Sequence, residues 1–256
     1  MPKVSIIMPL YNSEQFIEET IKSIINQSYS DWELIIVDDY SNDNSIRIIE
    51  KYKNNGDEKN KIKIIKNQKN FGPAYSRNEA IKEANGRYIA FIDSDDIWKK
   101  EKLEKQISFM EKNKVGFVFS SYNRIKENGK LEGTVKAPEI IDFNYILKRT
   151  PIQISSVIVD TEIVDKKIIN FKDIKTSEDI SLYLNILSSG IKAYGIEDVL
   201  VNYRNRRNSR SSNKVMNTIR RWNLYKEYNV SLLSRLKNII RHILDAIFRL
   251  NPVKNN

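Results

Sequence analysis

Two short apolar runs in this chain surface into acid. Glu33 to Val37 leads straight into Asp38-Asp39, and Arg87 to Ile92 leads into Asp93-Ser94-Asp95-Asp96. Runs that short and that apolar read as strands covered on both faces, which requires a sheet with helices above and below. The intervening sequence supplies those helices. Val4 to Met8 reads as a first strand, and Asn12 with Gln15 three residues on reads as a capping box for a helix whose apolar face is Ile17, Ile21, Ile24 and Ile25. A helix near Asp43 to Tyr52, a strand Lys61 to Ile65, a helix Pro73 to Ala84, a helix Lys99 to Lys112 and a strand Val115 to Ser120 continue the alternation. Strands separated by helices imply right-handed crossovers and a parallel sheet.

Beyond Ser121 the pattern loosens. Asn128-Gly129 marks a hairpin, Phe143 to Lys148 a helix and Ile154 to Val159 a strand. Thr176 or Ser177 is placed to cap a helix that begins with Glu178-Asp179 and buries Ile180, Leu184 and Leu187. Tyr203 to Asn213 is polar and basic, and reads as a loop ahead of two final helices. There is no internal repeat and no low-complexity linker, so the sequence implies one domain plus a tail.

The net charge of +10 would be a nucleic-acid signal if it were spread over the domain. It is not, because residues from Val201 onward hold 13 Lys/Arg against 2 Asp/Glu, which leaves 30 against 31 in the remainder. A basic groove with interleaved aromatics is also missing, so no nucleic-acid partner is expected. With no cysteine in the chain, disulfides, thiolate metal sites and a cysteine nucleophile are excluded, which suits a reducing cytoplasm. The sole histidine, His242, lies in the tail, against a Ser-His-Asp hydrolase. No stretch approaches the roughly 18 uncharged apolar residues of a membrane span, and the first apolar run is too short for a signal peptide.

Both acidic clusters fall at the carboxyl ends of strands, where open parallel sheets bind their ligands. Asp93 and Asp95, one residue apart, are placed to share one hard cation through oxygen, with a diphosphate completing its shell. Asp38 is read as shaping its own turn.

Four motifs in order then carry a resemblance: Val4-Ser5-Ile6-Ile7-Met8-Pro9-Leu10-Tyr11-Asn12, Val37-Asp38-Asp39-Tyr40-Ser41, Gly72-Pro73-Ala74 with Arg77-Asn78, and Asp93-Ser94-Asp95-Asp96. Across roughly the first half of the chain these resemble the family 2 glycosyltransferases, which have the GT-A fold. Ser177-Glu178-Asp179 resembles the family's acidic motif on the acceptor side, and Tyr203-Arg204 with Arg206, Ser209 and Ser211 resembles its closing loop.

The resemblance implies an α/β fold of GT-A type, Rossmann-like, with a mostly parallel central sheet flanked by helices and a C-terminal helical extension. Residues 1–213 would form that domain, 1–120 as the nucleotide-sugar half and 121–213 as the acceptor half with the closing loop, followed by a basic amphipathic tail at 214–256. Pro9, Tyr11 and Asn12 would line the nucleotide pocket, Asp39 would accept from the base, Arg77 would orient the nucleotide, Asp93 would touch ribose or metal, and Asp95 would ligate the metal. Asp179 would be the general base. The implied activity is inverting, metal-dependent transfer of a sugar, through Mn²⁺ or Mg²⁺, from a UDP-sugar to a glycan or lipid-linked glycan hydroxyl in surface polysaccharide assembly.

One departure is that many relatives carry a His after the Tyr-Arg pair, where this chain has Arg206 and Arg207; Arg brings charge to phosphate but cannot ligate a metal. A sugar-phosphate nucleotidyltransferase would share sheet and metal but expects a Gly-rich basic loop after the first strand, and Leu10-Tyr11-Asn12-Ser13 is not one. In the tail, Leu232, Leu233, Leu236, Ile239, Ile240, Ile243, Leu244, Ile247 and Phe248 repeat at helical spacing with Arg235, Lys237, Arg241 and Arg249 opposite. That pattern fits an anionic membrane surface at the inner face of the cytoplasmic membrane, and equally a helix packed on protein.

Overall fold

A computed structural model describes residues 3–54, 61–172, 178–206 and 214–249, with side chains in the last stretch at 219 and 221–240. In chain order the elements are β1 (Val4–Leu10), α1 (Ile17–Ile25), β2 (Trp32–Asp38), α2 (Ser45–Asn54), β3 (Ile62–Lys66), α3 (Pro73–Lys82), β4 (Tyr88–Phe91), β5 (Ile97–Trp98) and α4 (Lys102–Asn113). There follow β6 (Phe117–Lys126), β7 (Leu131–Val135), β8 (Ile140–Ile141), α5 (Phe143–Lys148), β9 (Ile158–Asp160), α6 (Glu178–Ser188), β10 (Ala193–Asn205), α7 (Lys214–Glu227) and α8 (Leu232–Arg249).

One sheet runs β3-β2-β1-β4-β9-β6-β10-β5, with β7 beside β6 and β8 beside β10. The β3, β2, β1 and β4 block is parallel throughout, and β6 pairs β10 in parallel, while β5, β7, β8 and β9 pair antiparallel. Side chains alternate across the parallel block. Ile6, Met8, Leu34 and Ile36 pack with Ile17, Ile21, Ile24, Ile49, Leu103 and Ile107 from α1, α2 and α4. Ile7, Ile35, Val37, Ile89 and Phe91 pack instead with Ala80, Ile81, Leu147, Leu184, Leu187 and Leu224 from α3, α5, α6 and α7. Both faces are therefore covered, which is why β1 and β2 read as unbroken apolar runs. Each fully buried Ile or Leu contributes about 1.5–3 kcal/mol. An exposed pair such as Lys63–Glu83 contributes at most about 1 kcal/mol, so the two apolar layers hold the sheet.

Several elements depart from their expected form. The Asn12/Gln15 capping box is not formed: α1 starts only at Ile17, its cap position Phe16 makes no side-chain bond, and the backbone N–H groups of Phe16 and Ile17 turn back to the Ser13 carbonyl. Asn12 sits at φ 44° and its Oδ1 accepts from Asn42 N at 2.9 Å, so its amide ties two loops together rather than capping a helix. The expected strand Ile154 to Val159 is a 3-10 turn, Ile154–Ser156, followed by β9. Tyr203 and Arg204 are not loop residues but the end of β10. Register shifts between Ile196 and Val201 interrupt that strand's alternation, which hides its period. The Asn128-Gly129 hairpin forms, with Gly129 at φ 80°. The proposed cap at Thr176 or Ser177, and Arg207, Ser209 and Ser211, lie outside the described residues.

Candidate active site

The ends of β1, β2 and β4 and the first turns of α3 and α6 meet over a cleft of about 400 Å³ lined by Pro9, Tyr11, Asn12, Asp39, Asp93, Asp95 and others. Arg77, Glu178, Tyr203, Arg204 and Arg206 complete its wall. The parallel register carries Pro9 beside Val37 and Leu10 beside Asp38, so the first two motifs are neighbours by pairing alone.

Asp38 Oδ1 accepts from Ser41 N at 3.2 Å, the turn-shaping role read for it. Asp39 does more than line the cleft. Its Oδ1 accepts from Asn67 Nδ2 at 2.9 Å and Phe71 N at 2.8 Å, and its Oδ2 from Gly72 N at 2.7 Å. The carboxylate thus fastens the loop before α3 to the end of β2. Gly72 sits at φ 94°, a left-handed conformation that side chains resist, which explains the glycine ahead of Pro73.

Arg77 stands at the centre. Its guanidinium is 4% exposed, donates to Asp93 Oδ1 at 2.5 Å and to Asp179 Oδ1 at 3.3 Å, and lies 3.9 Å from Glu178 Oε1. Phe171 covers its plane at 5.1 Å, and is itself held by paired bonds between Asn78 and the Phe171 backbone. Burial lowers its proton affinity, but Asp93, Asp179 and Glu178 outweigh that and raise it, so the cation is permanent. Arg77 thereby links the β4 carboxylates to those on α6, a joint that the sequence did not reveal.

Asp93 and Asp95 face the cleft together. Asp93 N donates to Ser155 Oγ at 3.0 Å, while Arg206 Nη1 stands 3.5 Å from Asp95 Oδ2. Burial, then the neighbouring Asp93, pushes Asp95 up to about 6 against the pull of Arg206 and Arg204. The two partly buried carboxylates offer only oxygen ligands, and burial raises Asp95 in spite of the arginines beside it, which fits a hard divalent cation. Among the described residues no group of three or more His, Cys, Asp or Glu side chains is gathered for a metal, so a cation held by this pair would need further ligands from phosphate oxygens and water.

Asp96, which the sequence assigned no role, is fully buried and accepts from Gln153 Nε2, Ser155 Oγ and Arg204 N. Burial, Asp95 and Asp93 push its pKa up against those bonds. It anchors the 93–96 turn to the 3-10 turn and to β10. Arg204, expected in a closing loop, is 3% exposed and donates to the carbonyls of Asp95 and Glu127 and to Glu19 Oε2 over the ring of Phe16. It braces the acidic turn.

Asp179 keeps 37% of its side chain exposed, and the cleft wall carries its neighbour Glu178. Burial raises its pKa to about 7; Arg77 opposes the shift, and Glu178 and Asp93 add to it. At that exposure solvent moderates the effect of burial, and the upward direction stands on the partial enclosure and the two neighbouring carboxylates, Glu178 and Asp93, against Arg77. One turn further along α6, the Tyr183 hydroxyl is buried with no hydrogen-bond partner among the described residues. Tyr183→Phe will leave stability unchanged or raise it by about 1 kcal/mol, read as Tm in a thermal melt; a clear loss would show that the hydroxyl is bonded.

The model of the family described as glycosyl transferase family 2 matches residues 5–170. The chain belongs to that family. It is a glycosyltransferase. It is 39% identical over 227 residues to the teichuronic acid biosynthesis glycosyltransferase TuaG of Bacillus subtilis, named as putative, covering 88% of each chain. It is 36% identical over 245 residues to WfgD of Escherichia coli, a UDP-Glc:α-D-GlcNAc-diphosphoundecaprenol β-1,3-glucosyltransferase, covering 95% of this chain and 93% of that one. Among solved structures, Staphylococcus aureus TarS 1–349 in complex with UDP-GlcNAc superposes with a TM-score of 0.74 at 24% identity, over 99% of this chain and 76% of that one. That likeness shows the GT-A fold. The matched stretch takes in Pro9, Asp39, Arg77, Asp93 and Asp95 of the cleft and ends at Asn170, before α6 begins.

Proposed function

We propose that this glycosyltransferase moves a sugar from a UDP-sugar to a hydroxyl of a lipid-linked glycan in surface polysaccharide assembly, with a divalent cation and with inversion at the anomeric carbon. The observation that carries the reading is the convergence of the Asp93/Asp95 pair and the Glu178/Asp179 pair on one buried cation, Arg77. The relatives support the donor and acceptor classes, since WfgD takes UDP-Glc and a diphosphoundecaprenol-linked acceptor.

In this reading Pro9, Tyr11 and Asn12 line the nucleotide pocket, and Asp39, with its loop already fastened, accepts from the base. Asp93 and Asp95 would hold Mg²⁺ or Mn²⁺, which when bound would supply positive charge to the leaving diphosphate. Arg77 adds a fixed cation beside them, and its contribution rises as the leaving group gathers charge. Asp179, from α6, takes the proton of the acceptor hydroxyl as it attacks, since a sugar hydroxyl is a poor nucleophile. Attack opposite the leaving group in a single displacement inverts the anomeric centre. Arg206 stands beside Asp95 and brings charge toward phosphate.

Saturation-transfer NMR with a panel of UDP-, GDP- and dTDP-sugars and Mn²⁺ tests the proposal. UDP-sugars will show transfer to base and ribose protons, and the signal will fall when Mn²⁺ is chelated. Binding of no sugar nucleotide would overturn the reading, and binding of a nucleoside triphosphate with a sugar phosphate instead would make the protein a nucleotidyltransferase.

A further inference from the structure

Helix α8 is packed with its polarity reversed. Leu232, Leu233, Leu236 and Ile240 are 56%, 80%, 46% and 56% exposed, whereas Asn238 is 6% exposed. The Nε of Arg235 is buried without a hydrogen-bond partner among the described residues, and its guanidinium lies 4.8 Å above the Trp222 ring of α7. A helix that docks only to complete its own domain turns the leucines in and the arginine out. Here the protein keeps the polar side and presents an apolar stripe.

We propose that this stripe is a docking surface for an anionic lipid bilayer. Charge selects that occupant. From residue 214 to 249 the sequence holds eight Lys/Arg against two Asp/Glu, so a second copy would meet the stripe with like charge, while anionic headgroups complement it. Among the described residues no helix is long and apolar enough to cross a membrane, so α8, about 27 Å long at helical rise, lies in the interface plane. Lys237, which the sequence pattern places opposite the leucines, is instead exposed beside them, because at helical spacing it falls next to Leu233, and from there it reaches the headgroup level. The sequence carries the same period on through Ile243, Leu244 and Ile247.

The helix is fixed to the acceptor half. Just before it, the Tyr228 hydroxyl reaches the Ser181 carbonyl at 3.3 Å and Asn185, both on α6, and the Tyr225 hydroxyl donates to the Leu147 carbonyl of α5 at 2.8 Å. Tyr228 thus ties the chain just ahead of α8 to the helix that carries Glu178 and Asp179 in its first turn.

Flotation of the full chain with vesicles of phosphatidylcholine, alone or mixed with phosphatidylglycerol, tests this. The chain will float with the mixed vesicles at least about tenfold better than with neutral ones, and high salt will release it. The double variant Leu233→Asp, Leu236→Asp will lose about tenfold in bound fraction with unchanged circular dichroism and Tm, because both positions are exposed already. Leu233→Trp provides a second measurement that does not depend on the double variant folding: mixed vesicles bearing brominated acyl chains will quench the emission added by that substitution. Absence of flotation, unchanged flotation of the folded double variant, or no quenching would overturn the proposal. So would a concentration-dependent dimer in ultracentrifugation that the double variant abolishes, since a second copy would then cover the stripe. None of these readouts involves a sugar nucleotide, so failure here leaves the proposed transfer reaction standing, and failure to bind donors leaves this proposal standing.

Discussion

Asp179→Asn will lower sugar transfer on the order of 10³-fold while donor affinity changes by no more than about threefold. The amide keeps the shape of the carboxylate but cannot accept a proton, so the loss falls on attack by the acceptor hydroxyl. The donor side is insulated, because Arg77 still holds Asp93 at 2.5 Å when its 3.3 Å contact with Asp179 weakens. Glu178 supplies the internal comparison. It lines the cleft, but stands 3.9 Å from Arg77, so Glu178→Gln will cost only about tenfold by altering the field around its neighbour. Steady-state kinetics for both variants, with donor Kd by calorimetry, decides between them. A large loss of donor affinity in Asp179→Asn would move that residue to the nucleotide site, and the reverse ranking of the two variants would make Glu178 the base. The pH profile gives an independent check. With its pKa pushed up to about 7 by burial, against Arg77 and with Glu178 and Asp93 adding, Asp179 becomes competent as a base as pH rises through that value. The wild-type kcat/KM will climb across that range, and Asp179→Asn will lose the climb.

The first half of this fold was legible because its physics is local. Strands buried on both faces must be apolar throughout, and the residues that follow them must surface, so Asp38-Asp39 and Asp93-Asp95 announced both the sheet and the cleft. The second half was less legible because its strands are short, antiparallel or irregular. In β10 the register shifts between Ile196 and Val201 break the alternation that betrays a strand, and Tyr203-Arg204 therefore read as loop. The cleft's residue types were legible, but the division of labour was not. No sequence signal marks Asp96 as the buried anchor that accepts from Gln153, Ser155 and Arg204, 57 to 108 positions away. Arg204 likewise turned from an expected mobile contact into a brace, because its partners Glu19, Asp95 and Glu127 come from three separate segments. The tail shows the converse case. Its amphipathic period was plain, yet only packing shows which face the domain keeps.

Behind the acidic turn sits a group whose removal will strengthen the protein. Lys102, at the start of α4, is fully buried; its Nζ has no hydrogen-bond partner among the described residues and lies 4.1 Å above the Trp98 ring. Burial alone lowers its pKa well below 10.5, since no carboxylate offsets it. Lys102→Met keeps the length of the side chain and removes the amine, and will raise stability at neutral pH by about 2 kcal/mol after the lost cation–π contact is counted. For a chain of this size that is a rise in Tm of about 5 °C. The sign against pH follows from proton binding. Above the lowered folded pKa the unfolded chain holds a proton that the folded chain does not, so wild-type stability rises with pH until the ordinary lysine value near 10.5 is passed. The advantage of Lys102→Met is thus largest at low pH, below the lowered folded pKa, and closes as pH rises toward 10.5, which urea melts at a series of pH values will show. A gap that stayed constant with pH would mean that the gain comes from packing rather than from the buried amine. The neighbouring chemistry gives a second reading of the same variant. The Trp98 indole donates to the Ser155 carbonyl at 2.8 Å, and Ser155 Oγ bonds both Asp96 and the Asp93 backbone. A methionine that keeps Trp98 seated will leave donor binding intact, whereas Trp98→Ala frees the carbonyl and lets the Asp93–Asp96 turn shift, lowering donor affinity along with stability.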